Sequence, residues 1–160
     1  QRNICYGITS IGHDGEEFDQ INHLIKKPRI FITNDNFVAT TDSLIKKSDA
    51  EIDILVNTNF RTSLGRVVIG KVIQEGNIEI SGPSTVKSVI EVCNLMLKHG
   101  ASKIIVDGAI DRKAISSPQV SNGCIIATGA VLNSNIIKVL SNQFMTREAQ
   151  IQCIKTNSLV

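Results

Sequence analysis

The residues best suited to chemistry come directly after a short apolar run, Lys103 to Val106. Asp107 ends that run and precedes Gly108, and Arg112 and Lys113 follow a few positions later. A carboxylate at the tip of a buried strand faces the crevice where α/β sheets bind ligands, and glycine lets a phosphate or a metal approach the backbone. Asp107 is therefore a candidate magnesium ligand, and Arg112 or Lys113 a candidate partner for an anion. An ordinary turn explains the same residues, since Asp-Gly pairs are common in turns.

A second polar group follows the first apolar run of the chain. That run ends near Ser10, and the loop from Gly12 to Glu17 contains His13 and Asp14. Asp14 is a candidate magnesium ligand, and His13 a candidate phosphate contact or general base. The competing interpretation is a solvated loop in which these side chains only turn the chain.

Two other segments have a functional and a structural interpretation. Ser81 to Thr85 opens the most regular helical pattern, so its free N–H groups could bind an anion, although plain capping explains the same residues. Thr128 to Asn133 is a third loop that follows a strand-like run. It has small residues that either admit a ligand or permit close packing.

Gly65 to Lys71 matches the phosphate-loop pattern G-x-x-x-x-G-K. However, Val72 stands where Ser or Thr should hold magnesium, and the match falls inside a predicted hairpin. Backbone amides in a hairpin cannot form a phosphate cradle, so the match is interpreted as coincidence.

Short apolar runs alternate with helical patterns, which predicts an α/β domain with a mostly parallel sheet flanked by helices, plus one antiparallel hairpin. The 160 residues suit a single domain. Strands are predicted at Ile4–Ile11, Arg29–Thr33, Ile52–Val56, Lys103–Val106 and Gly123–Thr128; helices at Phe37–Lys47, from Ser84 to His99 and from Ile136 past Phe144; and a hairpin at Arg66–Ser81.

Composition narrows the class of protein. Net charge is +2 with scattered basic residues, and aromatic residues are 4%, which argues against a nucleic-acid partner or a membrane surface. The four cysteines are far apart and form no C-x-x-C pair. We therefore expect a cytoplasmic protein with reduced thiols. We expect no metal held tightly by Cys and His. The chain opens at Gln1 without Met, so we expect a fragment whose N-terminal segment is missing.

The segments after the strands resemble a known family. Val106-Asp107-Gly108-Ala109 is similar to the Val-Glu-Gly-Ala element of dethiobiotin-synthetase-like P-loop proteins, with Asp in place of Glu. Taken in order, Thr9–Glu17, Lys27–Ile30 and Val106–Lys113 resemble the P-loop subunit of the lysine 5,6-aminomutase reactivase family, and the resemblance extends over nearly the whole chain.

This resemblance implies a P-loop NTPase-like fold and a nucleotide-binding component of a factor that reactivates a B12-dependent lysine aminomutase. Its partners would be a larger reactivase subunit and the aminomutase, and ATP with Mg would bind the full-length protein. Asp14 and Asp107 match positions near the metal and the nucleotide. Ser10, His13 and Gly108 adjoin them. The family's phosphate loop would lie ahead of Ile4.

Two alternatives remain open at this point. One is an ATP-dependent ligase or phosphotransferase of dethiobiotin-synthetase type, which would use Asp107 and Lys113. The other is a non-catalytic interaction domain in which the predicted hairpin, Val67 to Ile80, offers an exposed edge to a partner strand. Residue patterns leave open whether the chain is an enzyme and whether it forms a homo-oligomer.

Overall fold

The structure is a computed structural model that describes residues 4–12, 29–108, 121–127 and 150–156. These residues form nine strands in two sheets, together with two helices. The strands are β1 (Tyr6–Ser10), β2 (Ile30–Ile32), β3 (Phe37–Thr41), β4 (Glu51–Thr62), β5 (Gly65–Gln74), β6 (Gly76–Ile78), β7 (Lys103–Asp107), β8 (Gly123–Ala127) and β9 (Gln150–Thr156), and the helices are α1 (Asp42–Ile45) and α2 (Val86–Lys98).

The larger sheet is mixed, with the strand order β4-β5-β3-β1-β7-β9-β8. Within the described residues, β1 pairs in parallel with β3 on one side and with β7 on the other. The remaining neighbouring pairs of this sheet are antiparallel. The predicted α/β class is confirmed, but the prediction of a mostly parallel sheet is wrong. Antiparallel neighbours need only a tight turn, as between β4 and β5, whereas each parallel pair needs a crossover connection.

The hairpin predicted from Arg66 to Ser81 is also wrong. β5 pairs with β3 and β4, whereas β6 pairs with β2 in a separate two-stranded sheet. Val72 of β5 and Ile78 of β6 pack into the same hydrophobic cluster, so after β5 the chain passes from the main sheet onto the face that the second sheet covers. The hairpin of the described chain joins β4 to β5 between Thr62 and Gly65. The exposed edge proposed for the interaction domain is therefore not at β5, which lies between two strands.

The helix predicted over Phe37–Lys47 is a strand followed by a single helical turn, α1. Every residue of β3 is buried, so this segment has no polar face for a surface helix to turn toward water. Its β-branched residues Val38, Thr40 and Thr41 also favour extended backbone. Thr40 and Thr41 match the polar side of an amphipathic pattern, but both are fully buried.

Alternate residues of the central strands pack into two hydrophobic clusters on opposite faces of the main sheet. In β3, Phe37 and Ala39 belong to one cluster and Val38 to the other. The second sheet covers the cluster that contains Val38. Helix α2 covers the other cluster with four buried side chains, those of Val89, Val92, Cys93 and Met96.

Helix α2 confirms the prediction of a helix that ends at His99-Gly100. Its N-cap is Thr85 instead of the expected Ser84, and the Thr85 Oγ1 atom accepts a hydrogen bond from the Ser88 N–H at 3.2 Å. After Lys98 the chain turns through Gly100, whose φ of 114° lies in the region that favours glycine. Helix α2 therefore determines on which face of the sheet the cluster that contains Phe37 and Ala39 is buried.

The predicted strands at β1, β2, β7 and β8 are confirmed, and β4 extends well past the predicted Ile52–Val56. The helix predicted from Ile136 past Phe144 lies outside the described residues. None of the helices in the described ranges is long and apolar enough to cross a membrane. Of the cysteines whose side chains are described, neither Cys5 nor Cys93 forms a disulfide.

Candidate functional site

The carboxyl ends of β1 and β7 lie side by side. Ser10 and Asp107 are register partners at the ends of these parallel strands, and the Ile11 N–H donates to the Asp107 carbonyl oxygen at 3.0 Å. Both strands then turn away through glycines with positive φ, 69° at Gly12 and 80° at Gly108. Gly12 and Gly108, which have no β-carbon, therefore lie at the same edge of the sheet. The structure thus brings together three of the predicted site residues, Ser10, Asp107 and Gly108.

Asp107 is half-buried at the end of β7. Within the described part of the chain, its carboxylate forms no ion pair and accepts no hydrogen bond. A carboxylate at a strand end can ligate a cation or accept a hydrogen bond from a ligand. A single carboxylate is enough for Mg²⁺ when phosphate oxygens and water complete the coordination shell. The role of Asp107 as a magnesium ligand stays a prediction from its position after an apolar strand.

Ser10 is 4% exposed, and its hydroxyl is used within the fold. Its Oγ atom accepts a hydrogen bond from the Gly82 N–H at 2.9 Å and lies 3.1 Å from the Gly12 carbonyl oxygen, to which it donates. The Ile80 carbonyl oxygen is a longer contact at 3.5 Å. The hydroxyl therefore positions the backbone around the site.

Residues Glu79 to Pro83, here called the crossing segment, run across the carboxyl ends of β3 and β1. Thr40 Oγ1 donates to the Glu79 carbonyl oxygen at 3.2 Å and accepts from the Ser81 N–H at 2.9 Å. The Gly12 N–H donates to the Pro83 carbonyl oxygen at 2.8 Å. The segment therefore contacts the ends of β3 and β1, and no described hydrogen bond joins it to Asp107 at the end of β7.

Gly82 is required where the crossing segment meets β1. A β-carbon built on this glycine would collide with the Ser10 carbonyl oxygen and would lie 2.8 Å from Thr9 Oγ1. Backbone cannot move aside as a flexible side chain can, so only glycine fits. The sequence from Ser81 to Thr85 predicts a helix start but does not reveal this contact, which joins residues 72 positions apart.

Ser81 has the one buried side-chain oxygen in the described residues that lacks a hydrogen-bond partner. The residue is fully buried, and its own N–H is satisfied by Thr40. An unpaired buried hydroxyl costs about 1–3 kcal/mol of stability. The crossing segment therefore holds a polar group that the surrounding side chains do not satisfy.

The phosphate-loop match at Gly65–Lys71 lies in β5. Its residues pair with β3 on one side and with β4 on the other, so the backbone amides are engaged in the sheet. The Lys71 Nζ atom pairs with Asp35 Oδ1 at 2.9 Å. The interpretation of this match as coincidence agrees with its extended, doubly paired backbone.

A cysteine, a lysine and an aspartate meet at the opposite end of the central strands. Cys5 precedes β1, and its Sγ atom donates to the Asp35 carbonyl oxygen at 3.2 Å. Burial raises the pKa of the Cys5 thiol, an effect that the charge of Lys71 partly offsets. The hydrogen bond and the charge of Asp35 raise the pKa of Lys71. The raised pKa values keep the Cys5 thiol protonated and the Lys71 amine charged. Because a nucleophilic cysteine needs a thiolate, this contact is interpreted as structural.

Four of the predicted site residues lie outside the described residues: His13, Asp14, Arg112 and Lys113. The loop from Thr128 to Asn133 lies outside them as well. Among the residues that are described, no three His, Cys, Asp or Glu side chains gather as a metal site would require. The candidate site therefore consists of Asp107, the two glycines and the buried hydroxyl that orders the backbone beside them.

Comparison with known proteins matched the chain to no family profile, no characterised protein sequence and no solved structure. Function is therefore inferred from the residues at the carboxyl edge of β1 and β7.

Proposed function

We propose that the chain binds a magnesium nucleotide at the carboxyl edge of β1 and β7. The observation that carries this proposal is the pairing of Ser10 with Asp107 at the ends of two parallel strands, each followed by a glycine of positive φ. Ligands of α/β sheets bind beyond the carboxyl ends of such strands. Asp107 would be a ligand of Mg²⁺, and Gly12 and Gly108 would let phosphate oxygens approach the backbone.

The proposal includes a P-loop NTPase-like fold. Three neighbouring parallel strands, β3, β1 and β7, with α2 packed on one face, support it. The nucleotide's phosphates would need further donors, and His13, Asp14, Arg112 and Lys113 are the residues that we propose for this role from their sequence positions. Asp14 would be the second carboxylate near the metal.

We further propose that this chain is the nucleotide-binding component of a factor that reactivates a B12-dependent lysine aminomutase. Support comes from the resemblance of Val106–Lys113 to the corresponding family element and from the end of β7 at Asp107, where that element requires an acidic residue. Nucleotide binding would drive a conformational change in a complex with a larger subunit, and damaged cobalamin would be exchanged at the expense of ATP. A cytoplasmic location is part of the same proposal.

Titration calorimetry of the full-length protein with Mg-ATP tests the nucleotide site. We expect Asp107→Asn to weaken binding by about tenfold or more, because it removes the charge from a metal ligand but preserves the shape of the side chain. Asp53→Asn, at an exposed position of β4, is the matched control and should bind as the wild type does. Equal affinity of the Asp107 variant and the control would remove Asp107 from the site.

A reactivation assay tests the biological role separately. The full-length protein, mixed with the larger subunit and an inactivated lysine aminomutase, should restore mutase activity only when Mg-ATP is present. Nucleotide binding without reactivation would support the nucleotide site but contradict the reactivase role. Turnover of a small carboxylate without any partner would indicate the ligase alternative.

A further inference from the structure

Strand β4 forms the outer edge of the described main sheet. Eight of its twelve residues have register partners in β5 on one side, and no described strand pairs with the other side. Most of its residues are exposed, and the large apolar side chains of Ile54 and Leu55 are 43% and 38% exposed. A long edge strand with exposed aliphatic side chains is a surface on which another strand can pair.

The same corner of the sheet carries a third exposed aliphatic side chain. Ile73 of β5 is 56% exposed, and it lies where the register shifts between Glu51 opposite Gln74 and Ile52 opposite Val72. Several exposed aliphatic groups along one sheet edge are typical of interaction surfaces, whereas single exposed ones are ordinary. Ile54, Leu55 and Ile73 therefore mark the apolar part of a docking surface.

Acidic side chains flank this apolar part. Glu51, Asp53 and Glu75 are exposed, and none of them forms an ion pair within the described residues. Two nearby carboxylates differ in this respect, because Asp49 pairs with Arg29 at 3.0 Å and Asp35 pairs with Lys71 at 2.9 Å. Lys71 lies opposite Asp53 in the strand register, but its amine pairs with Asp35, so these three carboxylates have no ion-pair partner among the described residues. Their negative charge beside exposed aliphatic groups favours a basic partner.

β-Bulges limit which part of the edge can accept a strand. The pairing of β4 with β5 is regular from Ile52 to Ile54, and its register shifts on either side of that stretch. Bulges interrupt pairing along an edge and protect it against indiscriminate association. The regular stretch and its two flanking residues, Glu51 and Leu55, can therefore pair with an extended segment of only about five residues.

The alternation of side chains specifies that segment. Ile52 packs into the cluster on one face of the sheet, so Glu51 and Asp53, its neighbours along the strand, point to the opposite face. A paired strand would place basic residues two positions apart opposite these carboxylates and apolar residues between them. We infer that β4 docks a short extended segment of a partner protein, with Lys or Arg alternating with aliphatic residues.

Titration with the acetylated and amidated pentapeptide Lys-Val-Lys-Val-Lys, which sets lysines opposite Glu51 and Asp53 in either strand direction, followed by backbone amide NMR, tests this inference. We expect saturable shifts at Glu51 to Leu55 of β4 and little change in α2. The peptide Glu-Val-Glu-Val-Glu should not bind, and added salt should weaken binding of the lysine peptide because the contacts are exposed. Equal binding of both peptides, or shifts confined to other elements, would overturn the inference.

A charge reversal on β4 provides the matched comparison. Asp53→Lys should weaken binding of the lysine peptide by about three- to tenfold, because an exposed attraction becomes a repulsion. Glu91→Lys makes the same charge change at an exposed position of α2 and should leave the affinity unchanged. Thermal unfolding checks that both variants are folded. Identical affinities of the two variants would contradict the inference. Concentration-dependent dimerisation through β4 would contradict it as well.

Discussion

The Ser10 hydroxyl and the Gly82 N–H, 72 positions apart in the chain, are joined by a buried hydrogen bond of 2.9 Å. This bond fastens the crossing segment to the end of β1, next to Asp107. The candidate site is therefore ordered by backbone contacts from a distant segment as well as by the two strands that meet there.

Removing the Ser10 hydroxyl should destabilise the fold. Ser10→Ala leaves the Gly82 N–H buried without its acceptor, and we expect the free energy of unfolding to fall by about 1–2 kcal/mol. Urea unfolding followed by circular dichroism measures the change. Ser88→Ala removes a hydroxyl whose 2.8 Å contact with Thr85 Oγ1 is exposed to solvent, and it serves as the comparison. A Ser10 variant as stable as wild type would mean that the crossing segment does not depend on this bond.

Ser81 and Thr40 should respond in opposite ways to loss of a hydroxyl. Ser81→Ala removes an oxygen with no partner, so stability should be unchanged or higher, whereas Thr40→Val leaves the Ser81 N–H unpaired and should cost about 1–3 kcal/mol. Chemical denaturation of the two variants compares them directly. A destabilised Ser81→Ala protein would show that the hydroxyl is satisfied in solution, for example by a buried water.

The Cys5 thiol should ionise at higher pH than an ordinary cysteine. Burial raises its pKa above the reference value of 9.0, so the folded state favours the neutral thiol. The stability contributed by this group is complete below pH 9.0 and declines as the pH rises through the folded-state pKa. Alkylation by iodoacetamide, followed by mass spectrometry across pH, should give a midpoint for Cys5 above that of a short cysteine peptide. A midpoint at or below the peptide's would contradict the burial effect.

Local sequence patterns were sufficient to predict elements in which neighbouring residues favour the same secondary structure. The period of apolar residues in α2, closed by His99-Gly100, determines that helix, and the apolar run before Asp107 determines β7. The position of Asp107 at a strand tip also follows from the sequence, because the polar Asp-Gly pair ends a run that has to be buried.

The tertiary structure decided what depends on distant partners. β3 is a strand because both of its faces are buried between α2 and the second sheet, an environment that no short window of sequence contains. The requirement for glycine at position 82 and the role of Ser10 likewise arise from one contact between segments far apart in the chain. Burial and hydrogen bonding between residues far apart in the chain form only when the chain packs. Residue type and spacing could therefore identify the carboxylate of Asp107. They could not identify the backbone of the crossing segment, which orders the surroundings of that carboxylate.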